Sequence, residues 1–490
     1  MNIVMISAEC APVAKVGGLA DVVFGLTREL EIRGNDVHII LPKYDCMRYD
    51  HIWGLQISYH DLWVPWYGGA ICCDVWFGFV HGRKCFFIEP HSNDHFFERG
   101  SFYGFHDDVE RFAFFSRAAL EFLLKDNRRP DIIHCHDWQT GLVPVLLFEI
   151  YQHIGMANQR VCYTIHNFKH QGVTGEHVLY AAGLPHPQHL FQPERLQDDF
   201  NHTAVNLMKG GVVFSNFVTT VSPKHAHEVM HSDQGHGLGH TLNTHRGKFG
   251  GILNGLDYDV WNPEVDELIP VRYGVNELEK KYENKTALRH RLLLQEEFKP
   301  IIAYVGRLDA QKGVHLIRHG LHHALASGAQ FVLLGSSPDP DIDREFWHLK
   351  HHFNHNPDCH LEIGYDEELA HLIYAGADMV VMPSMFEPCG LTQLIALKYG
   401  TVPIVRGVGG LIDTVFDKDY SDKPEDERNG FMFYQTDEPG LDSAMVRAIG
   451  LWQHHPAEFR QLIMQGMQCD YSWSKPGQDY LNVYNYIRQI

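Results

Sequence analysis

The chain has 490 residues, 44% of them hydrophobic, and a formal net charge of −20 with histidine counted as neutral. A chain of this length exceeds one ordinary core and is expected to form two domains of roughly 200 residues or more. A net charge of this sign disfavours nucleic acids and anionic membranes as partners, and any phosphate-binding site must therefore be locally basic.

The first residues, 1–7, have the pattern of a strand and not that of a signal peptide. No apolar run approaches the ~20 residues of a membrane-spanning helix. The ten cysteines include no C-x-x-C pair, and Cys10, Cys135 and Cys162 fall in apolar strand-like runs. These features predict a cytoplasmic protein with buried, reduced thiols.

Strand-like and helix-like stretches alternate in two successive series. A first helix is predicted over 19–32, with Gly34 as its C-terminal stop. Such alternation predicts an α/β protein with two Rossmann-like, doubly wound parallel-sheet domains. The predicted strands are 3–8, 37–41, 71–80, 85–89, 132–136, 161–166 and 217–221 in the first series, and 301–306, 331–335, 379–382 and 402–405 in the second.

A glycine-rich stretch at 235–251 predicts a hinge or mobile loop between the two series. We therefore expect a first domain over 1–245 and a second over 246–470. The remaining residues, 471–490, include an amphipathic helical pattern at 480–487.

The sequence KVGGLADV at residues 15–22 lies between the first strand and the first helix, where doubly wound sheets bind ligands. Gly17 and Gly18 would let a ligand approach the backbone, and Lys15 supplies charge. The sequence is neither a Walker loop nor a G-x-G-x-x-G fingerprint, which weakens the kinase and dehydrogenase interpretations. On its own it is also typical of a tight turn with a solvated lysine.

Three further stretches follow predicted strands. Arg307 and Lys312 leave the same strand end and could neutralise a diphosphate without a metal, although a surface loop with solvated cations has the same pattern.

Asp137 and His166 also follow strands. A zinc site using His134, His136 and Asp137 is an alternative, but no paired ligand cluster follows, and His134 is more typical of a core histidine bonded to backbone.

The sequence FEPCGLTQ at residues 386–393 leaves an apolar strand and opens a helix-like run that stops at Gly400. The first amides of a helix can bind a phosphate, and Glu387 could accept hydrogen bonds from sugar hydroxyls. Tyr365 could stack on a base, although packing is the commoner role for a tyrosine. A D-x-D pattern beginning at Asp339 is more typical of a solvated acidic turn than of a metal site.

Together these stretches resemble the bacterial glycogen synthase and plant starch synthase family, and they occur in the family's order. The matching stretches are 15–22, 136–142, 164–167, 220–223, 251–257, 261–263, 307–313, 386–393, 403–406 and 409–411. The resemblance implies a GT-B fold, with two Rossmann-like domains facing across a cleft and the last helix returning to the first domain. It also implies retaining transfer of glucose from ADP-glucose to the non-reducing end of an α-1,4-glucan, without a metal or other cofactor.

The same resemblance implies a set of site residues. The expected catalytic residues are Asp137, His166, Arg307, Lys312 and Glu387, and the expected donor-binding residues are Lys15, Gly17, Gly18, Asp21, Asn254, Tyr365, Cys389, Gly390, Leu391 and Thr392. Cations would stabilise the leaving diphosphate. The two-carboxylate arrangement of retaining glycosidases is not evident, so we expect front-face transfer assisted by the leaving phosphate.

The chain departs from the wider pattern at three positions. Ile395 stands where many sugar transferases of this fold have a second glutamate, a loss that glycogen and starch synthases share. Phe97 stands where some bacterial relatives have a tyrosine, which would remove a hydroxyl near the cleft. Val408 replaces a common threonine near the donor. A UDP-glucose-dependent transferase, a sugar-nucleotide epimerase and a non-catalytic glucan-binding protein are the alternatives, and the oligomeric state stays open.

Overall fold

A computed structural model describes residues 1–184 and 187–490. They divide into two compact units: the first unit is Met1–Gly255 with Trp473–Ile490, and the second unit is Leu256–Ser472. The first unit extends past the expected boundary at residue 245 because Phe249–Gly251 pairs in parallel with Phe217–Thr220. The glycine-rich stretch predicted as a hinge therefore forms short helices and an edge strand inside the first unit.

The first unit is built on a nine-stranded sheet, with order β11-β10-β7-β6-β1-β2-β5-β4-β3, and a separate β8–β9 pair. Its strands are β1 (Asn2–Ile6), β2 (Asp36–Pro42), β3 (Ile52–Trp66), β4 (Gly69–Val80), β5 (Arg83–Pro90), β6 (Ile132–His136), β7 (Arg160–Ile165), β8 (Val173–Thr174), β9 (Val205–Asn206), β10 (Phe217–Thr220) and β11 (Phe249–Gly251). Pairing is parallel from β11 to β5. The strand order reverses between β1 and β6, and ligands bind at such switch points.

The other edge of this sheet is antiparallel, which differs from the all-parallel prediction. Strand β4 pairs antiparallel with both β3 and β5. The two connecting turns, Tyr67-Gly68 and His81-Gly82, have positive φ at both residues (49° and 74°, 46° and 86°). Two-residue turns of this kind match the strand twist in β-hairpins. Strand β3 was not predicted from the sequence because its polar residues interrupt any continuous apolar run.

Helices cover this sheet. They are α1 (Gly18–Ile32), α2 (Asp108–Lys125), α3 (Leu142–Glu149), α4 (His177–Ala181), α5 (Leu207–Phe214), α6 (Pro223–His231) and α7 (Gly239–Thr244). Helix α1 agrees with its prediction, and Gly34 follows it with φ 82°. Central strands such as β6 are buried along their whole length, which explains their continuous apolar sequences.

The second unit has a six-stranded, wholly parallel sheet with order β14-β13-β12-β15-β16-β17. Its strands are β12 (Ile301–Arg307), β13 (Gln330–Ser336), β14 (Cys359–Ile363), β15 (Met379–Met382), β16 (Val402–Arg406) and β17 (Phe431–Phe433). Its helices are α8 (Glu279–Leu292), α9 (Val314–Ala326), α10 (Pro340–Phe353), α11 (Glu367–Gly376), α12 (Thr392–Lys398), α13 (Gly410–Thr414), α14 (Glu438–His454) and α15 (Pro456–Gln468). Counted within the unit, this is the 3-2-1-4-5-6 order of dinucleotide-binding sheets, with its switch point between β12 and β15.

The C-terminal helix α16 (Ser474–Gln489) packs on the first unit. Its Tyr480, Tyr484 and Ile487 side chains are fully buried. Trp473, just before it, lies against Gly25 of α1, where a Cβ atom would come within 2.0 Å of the indole Nε1. A side chain at residue 25 would therefore displace the start of the returning segment.

All ten cysteines lie within the described residues and outside disulfides, and Cys10, Cys135 and Cys162 are buried as predicted. In the described part of the chain, no helix combines the length and apolar character needed to cross a membrane.

Candidate active site

The loop after β1 is organised by Glu9, a residue that the motif analysis missed. Its Oε2 accepts hydrogen bonds from the backbone N–H groups of Val16 (2.8 Å) and Gly17 (3.1 Å). Its Oε1 accepts a hydrogen bond from the Tyr103 hydroxyl at 2.7 Å. Burial raises the pKa of the Glu9 carboxyl. This buried carboxyl group fixes the backbone of the predicted ligand loop, and its place just after the first strand was the available signal.

The glycines of this loop are not required by packing. A Cβ atom at Gly17 or Gly18 would meet no heavy atom within 4 Å. Gly17 has φ −148°, an extended conformation open to any residue. Lys15 Nζ lies 2.8 Å from Asp21 Oδ1 in a partly exposed ion pair. The space beside the glycines is thus available to a ligand, and a cation stands next to it.

Asp137 ties the ends of β6 and β7 together. Its Oδ1 accepts hydrogen bonds from the backbone N–H groups of His166 (2.6 Å) and Asn167 (3.3 Å). Its own backbone has φ 57° and ψ −177°, a region that non-glycine residues rarely adopt. Burial raises the pKa of the Asp137 carboxyl to about 7. The strain and the buried carboxyl are typical of a functional position.

Three histidines stand side by side at these strand ends. His134 is fully buried, with Nδ1 2.7 Å from the Tyr484 hydroxyl and Nε2 2.7 Å from Thr164 Oγ1. It is a core histidine as predicted, but its partners are side chains and not the backbone. His136 stacks on it with ring centroids 4.2 Å apart, and His136 Nδ1 lies 3.1 Å from His166 Nε2.

Burial lowers the pKa values of His134 and His166 to about 3, so both imidazoles are neutral near pH 7. Within the described ranges, the side-chain clusters able to hold a metal ion involve other residues than His134, His136 and Asp137. His166 therefore offers a neutral ring that can form hydrogen bonds, and not a cation.

Asn254 lies in the first unit, directly after β11, and not in the second domain where the sequence analysis placed it. Its side chain is buried, and its Oδ1 has no hydrogen-bond partner among the described residues. Buried amide oxygens are normally satisfied, so this atom is available to a donor from a ligand.

The loop after β12 carries the two predicted cations. Arg307 is 56% exposed, and its Nη1 lies 3.3 Å from Asp309 Oδ2. The Asp309 side chain accepts a hydrogen bond from the Lys312 backbone N–H at 3.0 Å and so holds the turn in shape. Gly313 has φ 72°, and a Cβ atom there would lie 2.2 Å from the Pro383 carbonyl oxygen. Only glycine lets this loop pack against the loop after β15.

Lys312 and Glu387 meet at the switch point of the second unit. Lys312 Nζ lies 2.6 Å from Glu387 Oε2, and the side chains are 19% and 7% exposed. The Ser384 hydroxyl also donates to Glu387 Oε2, at 3.0 Å. Arg406 supports the loop by donating from Nε to the Ser384 carbonyl oxygen at 2.6 Å. The structure thus brings together two of the predicted catalytic residues.

The segment after Glu387 is shaped by glycine contacts. Gly390 has φ 80°, and a Cβ atom at Gly410 would lie 2.4 Å from the buried Cys389 carbonyl oxygen. The Gln393 side-chain amide donates to the carbonyl oxygens of Cys389 (2.9 Å) and Gly390 (3.1 Å). Leu391 and Thr392 follow at the start of α12, which has seven residues.

Tyr365 follows β14 and Gly364, and its side chain is 85% exposed. It is therefore not packed in the core of the second unit, and its ring is accessible for stacking.

Asp339 caps α10 by accepting from the backbone N–H groups of Asp341 (2.9 Å) and Ile342 (3.3 Å). The acidic stretch predicted as a solvated turn is the first turn of that helix.

The three departures from the wider pattern all lie in cores. Phe97 is 2% exposed and packs edge-on against Tyr44 with ring centroids 5.4 Å apart. The ring is enclosed by other aromatic side chains, and the effect of the missing hydroxyl on the acceptor stays a prediction. Ile395 and Val408 are also buried among apolar residues.

Two doubly wound units, each with charged side chains and glycine turns at its switch point, have the architecture of GT-B glycosyltransferases. The family described as "Starch synthase catalytic domain" matches residues 2–244, and "Glycosyl transferases group 1" matches residues 299–450.

The sequence is 66% identical over 483 residues to "Glycogen synthase 2" of Methylococcus capsulatus, covering 99% of both chains. It is 64% identical over 489 residues to "Glycogen synthase 1" of a Synechococcus species, covering 100% of both. The structure of the starch synthase IV catalytic domain from Arabidopsis thaliana, bound to ADP and acarbose, superposes with a TM-score of 0.96 at 45% identity, covering 100% of this chain and 99% of that one. The chain belongs to the glycogen synthase and starch synthase family, which confirms the resemblance and the GT-B fold.

Proposed function

We propose that this enzyme transfers glucose from ADP-glucose to the non-reducing end of an α-1,4-glucan, with retention of configuration and release of ADP. The observation that carries the proposal is the Lys312–Glu387 pair at the switch point of the second unit, within a chain at least 64% identical to proteins named glycogen synthase. The ADP bound to the starch synthase IV structure supports ADP as the leaving group.

Cleavage of the sugar–phosphate bond places negative charge on the leaving diphosphate and positive charge on the sugar ring. Arg307 and Lys312 can stabilise the diphosphate, and Glu387 can accept hydrogen bonds from the transferred glucose. His166, whose ring is neutral, can share a hydrogen bond with a sugar hydroxyl, and its backbone carbonyl can face the positive ring. Lys312 would exchange part of its contact with Glu387 for a phosphate oxygen.

Neither buried carboxylate is well suited to act as a nucleophile. Asp137 is held by two backbone amides, and Glu387 is held by Lys312 and Ser384. These contacts support front-face transfer, in which the leaving phosphate takes the proton of the acceptor hydroxyl as the new glycosidic bond forms. A glucosyl ester trapped on either carboxylate would contradict this route.

The remaining predicted residues are assigned to the donor. Lys15, Gly17 and Gly18 would bind the diphosphate side, and Asp21 would lie near the transferred glucose. The Asn254 Oδ1 atom, which has no hydrogen-bond partner among the described residues, would accept a hydrogen bond from a glucose hydroxyl. We assign adenine stacking to Tyr365 and backbone contacts with the donor to the segment from Cys389 through Gly390 and Leu391 to Thr392. We also assign the reaction to the cytoplasm, which the cysteines outside disulfides support.

The test is incubation with glucose-labelled ADP-glucose and glycogen, scoring both glucan-bound label and ADP. Competition with unlabelled UDP-glucose separates the ADP-glucose enzyme from a UDP-glucose transferase. Donor conversion without glucan would indicate an epimerase, and glucan binding with no ADP release would indicate a non-catalytic binding protein. Label in α-1,4 linkage that β-amylase removes is the result expected here.

A further inference from the structure

A histidine and carboxylate cluster lies between α9 and α14 of the second unit, outside the residues assigned to the transfer reaction. His319 Nε2 and His323 Nδ1 each lie 2.7 Å from Asp442 Oδ1. Each of the three side chains offers one ligand atom, and these three atoms all lie within 4.8 Å of one another. His319 Nδ1 also lies 3.6 Å from Glu438 Oε2.

Helical spacing explains why these groups converge. His319 and His323 are four residues apart on α9, and Glu438 and Asp442 are four residues apart on α14, so each pair shares one helix face. All three side chains are partly buried. His319 is 23% exposed, His323 is 15% exposed and Asp442 is 35% exposed. The cluster is therefore held between two packed helices and is not a chance meeting of mobile surface chains.

We propose that His319, His323 and Asp442 bind a divalent transition-metal ion of the Zn²⁺ type. Two imidazole nitrogens and one carboxylate oxygen form a common protein ligand set for tetrahedral zinc, and a water would complete it. Ligand atoms around tetrahedral zinc lie roughly 3.3 Å apart. The two 2.7 Å contacts would thus widen by about half an ångström, which small side-chain rotations provide.

Glu438 would accept a hydrogen bond from one of the metal-bound histidines. Metal-bound histidines usually donate their second ring N–H to a carboxylate, which fixes the tautomer. With the ion on His319 Nε2, the Nδ1–H would point to Glu438 Oε2, now 3.6 Å away. The ion would bridge α9 to α14 and hold α9, which begins at Val314 immediately after the Lys312 turn. This proposal does not depend on the donor or acceptor of the transfer reaction.

The test is titration of the full chain, stripped with EDTA, with Zn²⁺ against a chromophoric chelator. A parallel titration with Co²⁺ reports tetrahedral coordination by visible absorption. We expect one tight site in the unsubstituted protein. The affinity should fall by about 100-fold or more in H319A/H323A and in D442N, and by about 10-fold in E438Q.

The matched control is H227A/H231A on α6. His227 and His231 have the same helical spacing and stack with ring centroids 4.4 Å apart, but neither lies within ion-pairing distance of a carboxylate in the described part of the chain. The tight site should persist in this control. Equal Zn²⁺ affinity in the unsubstituted protein and D442N would overturn the proposal, as would equal loss in H227A/H231A. D442N keeps the size of the side chain, so it serves if the double alanine variant does not fold.

Discussion

Replacement of Lys312 by methionine removes the cation that lies 2.6 Å from Glu387 in the second unit. At an effective dielectric constant near 20, the gross attraction across this distance is roughly 6 kcal/mol, and desolvation of the two groups offsets much of it. Leaving the Glu387 carboxylate buried and unpaired should lower the free energy of unfolding by about 3 kcal/mol. Loss of a group that stabilises the leaving diphosphate should slow transfer by ~100-fold or more.

Two further variants separate the structural effect from the catalytic one. Lys312→Met with Glu387→Gln removes both charges, so it should recover most of the stability while staying inactive. Lys285→Met breaks another buried ion pair of the same unit, in which Lys285 Nζ lies 2.7 Å from Asp378 Oδ2. This variant should lose stability but keep kcat within about two-fold, because Lys285 has no part in the proposed reaction.

The measurements are guanidinium unfolding and steady-state ADP release with glycogen as acceptor. Near-normal turnover in a folded Lys312→Met protein would refute the proposed role of the cation. A similar fall in kcat for Lys285→Met would show that the loss reflects stability alone.

Five other substitutions test the loops of the site. Glu9→Gln should raise KM for ADP-glucose by about 10-fold, because it weakens the hydrogen bonds that hold the Val16 and Gly17 amides. Tyr103→Phe should raise KM less, because only one of the three hydrogen bonds to Glu9 is lost. Equal KM values in the unsubstituted protein and in both variants would contradict the role of Glu9. Gly17→Ala should raise KM without changing the unfolding midpoint, whereas Gly313→Ala, with φ 72°, should destabilise by about 1–3 kcal/mol in the same denaturation assay. Burial raises the folded-state pKa of Asp137 from its ordinary value of 3.8 to about 7, so the contribution of Asp137 to stability falls as pH rises between these values and is constant above them. Asp137→Asn should therefore gain stability relative to the unsubstituted protein from about pH 4 to pH 7, and parallel pH profiles of the unfolding midpoint would refute this.

The second unit was predictable from sequence because each strand and the site residues that follow it are adjacent in the chain. Strands β12 and β15 are apolar runs, and the residues that leave them, Arg307, Lys312 and Glu387, follow directly in the chain. A parallel sheet delivers such residues to one edge, so proximity of Lys312 and Glu387 follows from the strand order. The roles given to these residues and to the donor-binding set stay predictions.

Other features depend on contacts distant in sequence. His134 bonds to Tyr484, which is 350 residues away, and Glu9 is satisfied by Tyr103, 94 residues away. Strand β3 is an edge strand of its sheet and is largely exposed over its first ten residues, so its sequence lacks the continuous apolar run of a buried strand. The glycines of 235–251 resemble a flexible linker, but Gly235 and Gly251 are close to backbone atoms of α6 and its start, where a side chain would not fit.

The first unit is completed by residues from both ends of the chain. Tyr484 reaches the central strand β6 through His134, and Trp473 fills the space beside Gly25. During translation, the second unit is continuous in sequence and can finish its core while the first still awaits its last helix. The nascent N-terminal sheet should therefore expose an apolar groove until residues 473–490 have emerged, and chaperone binding is expected to persist on it longest.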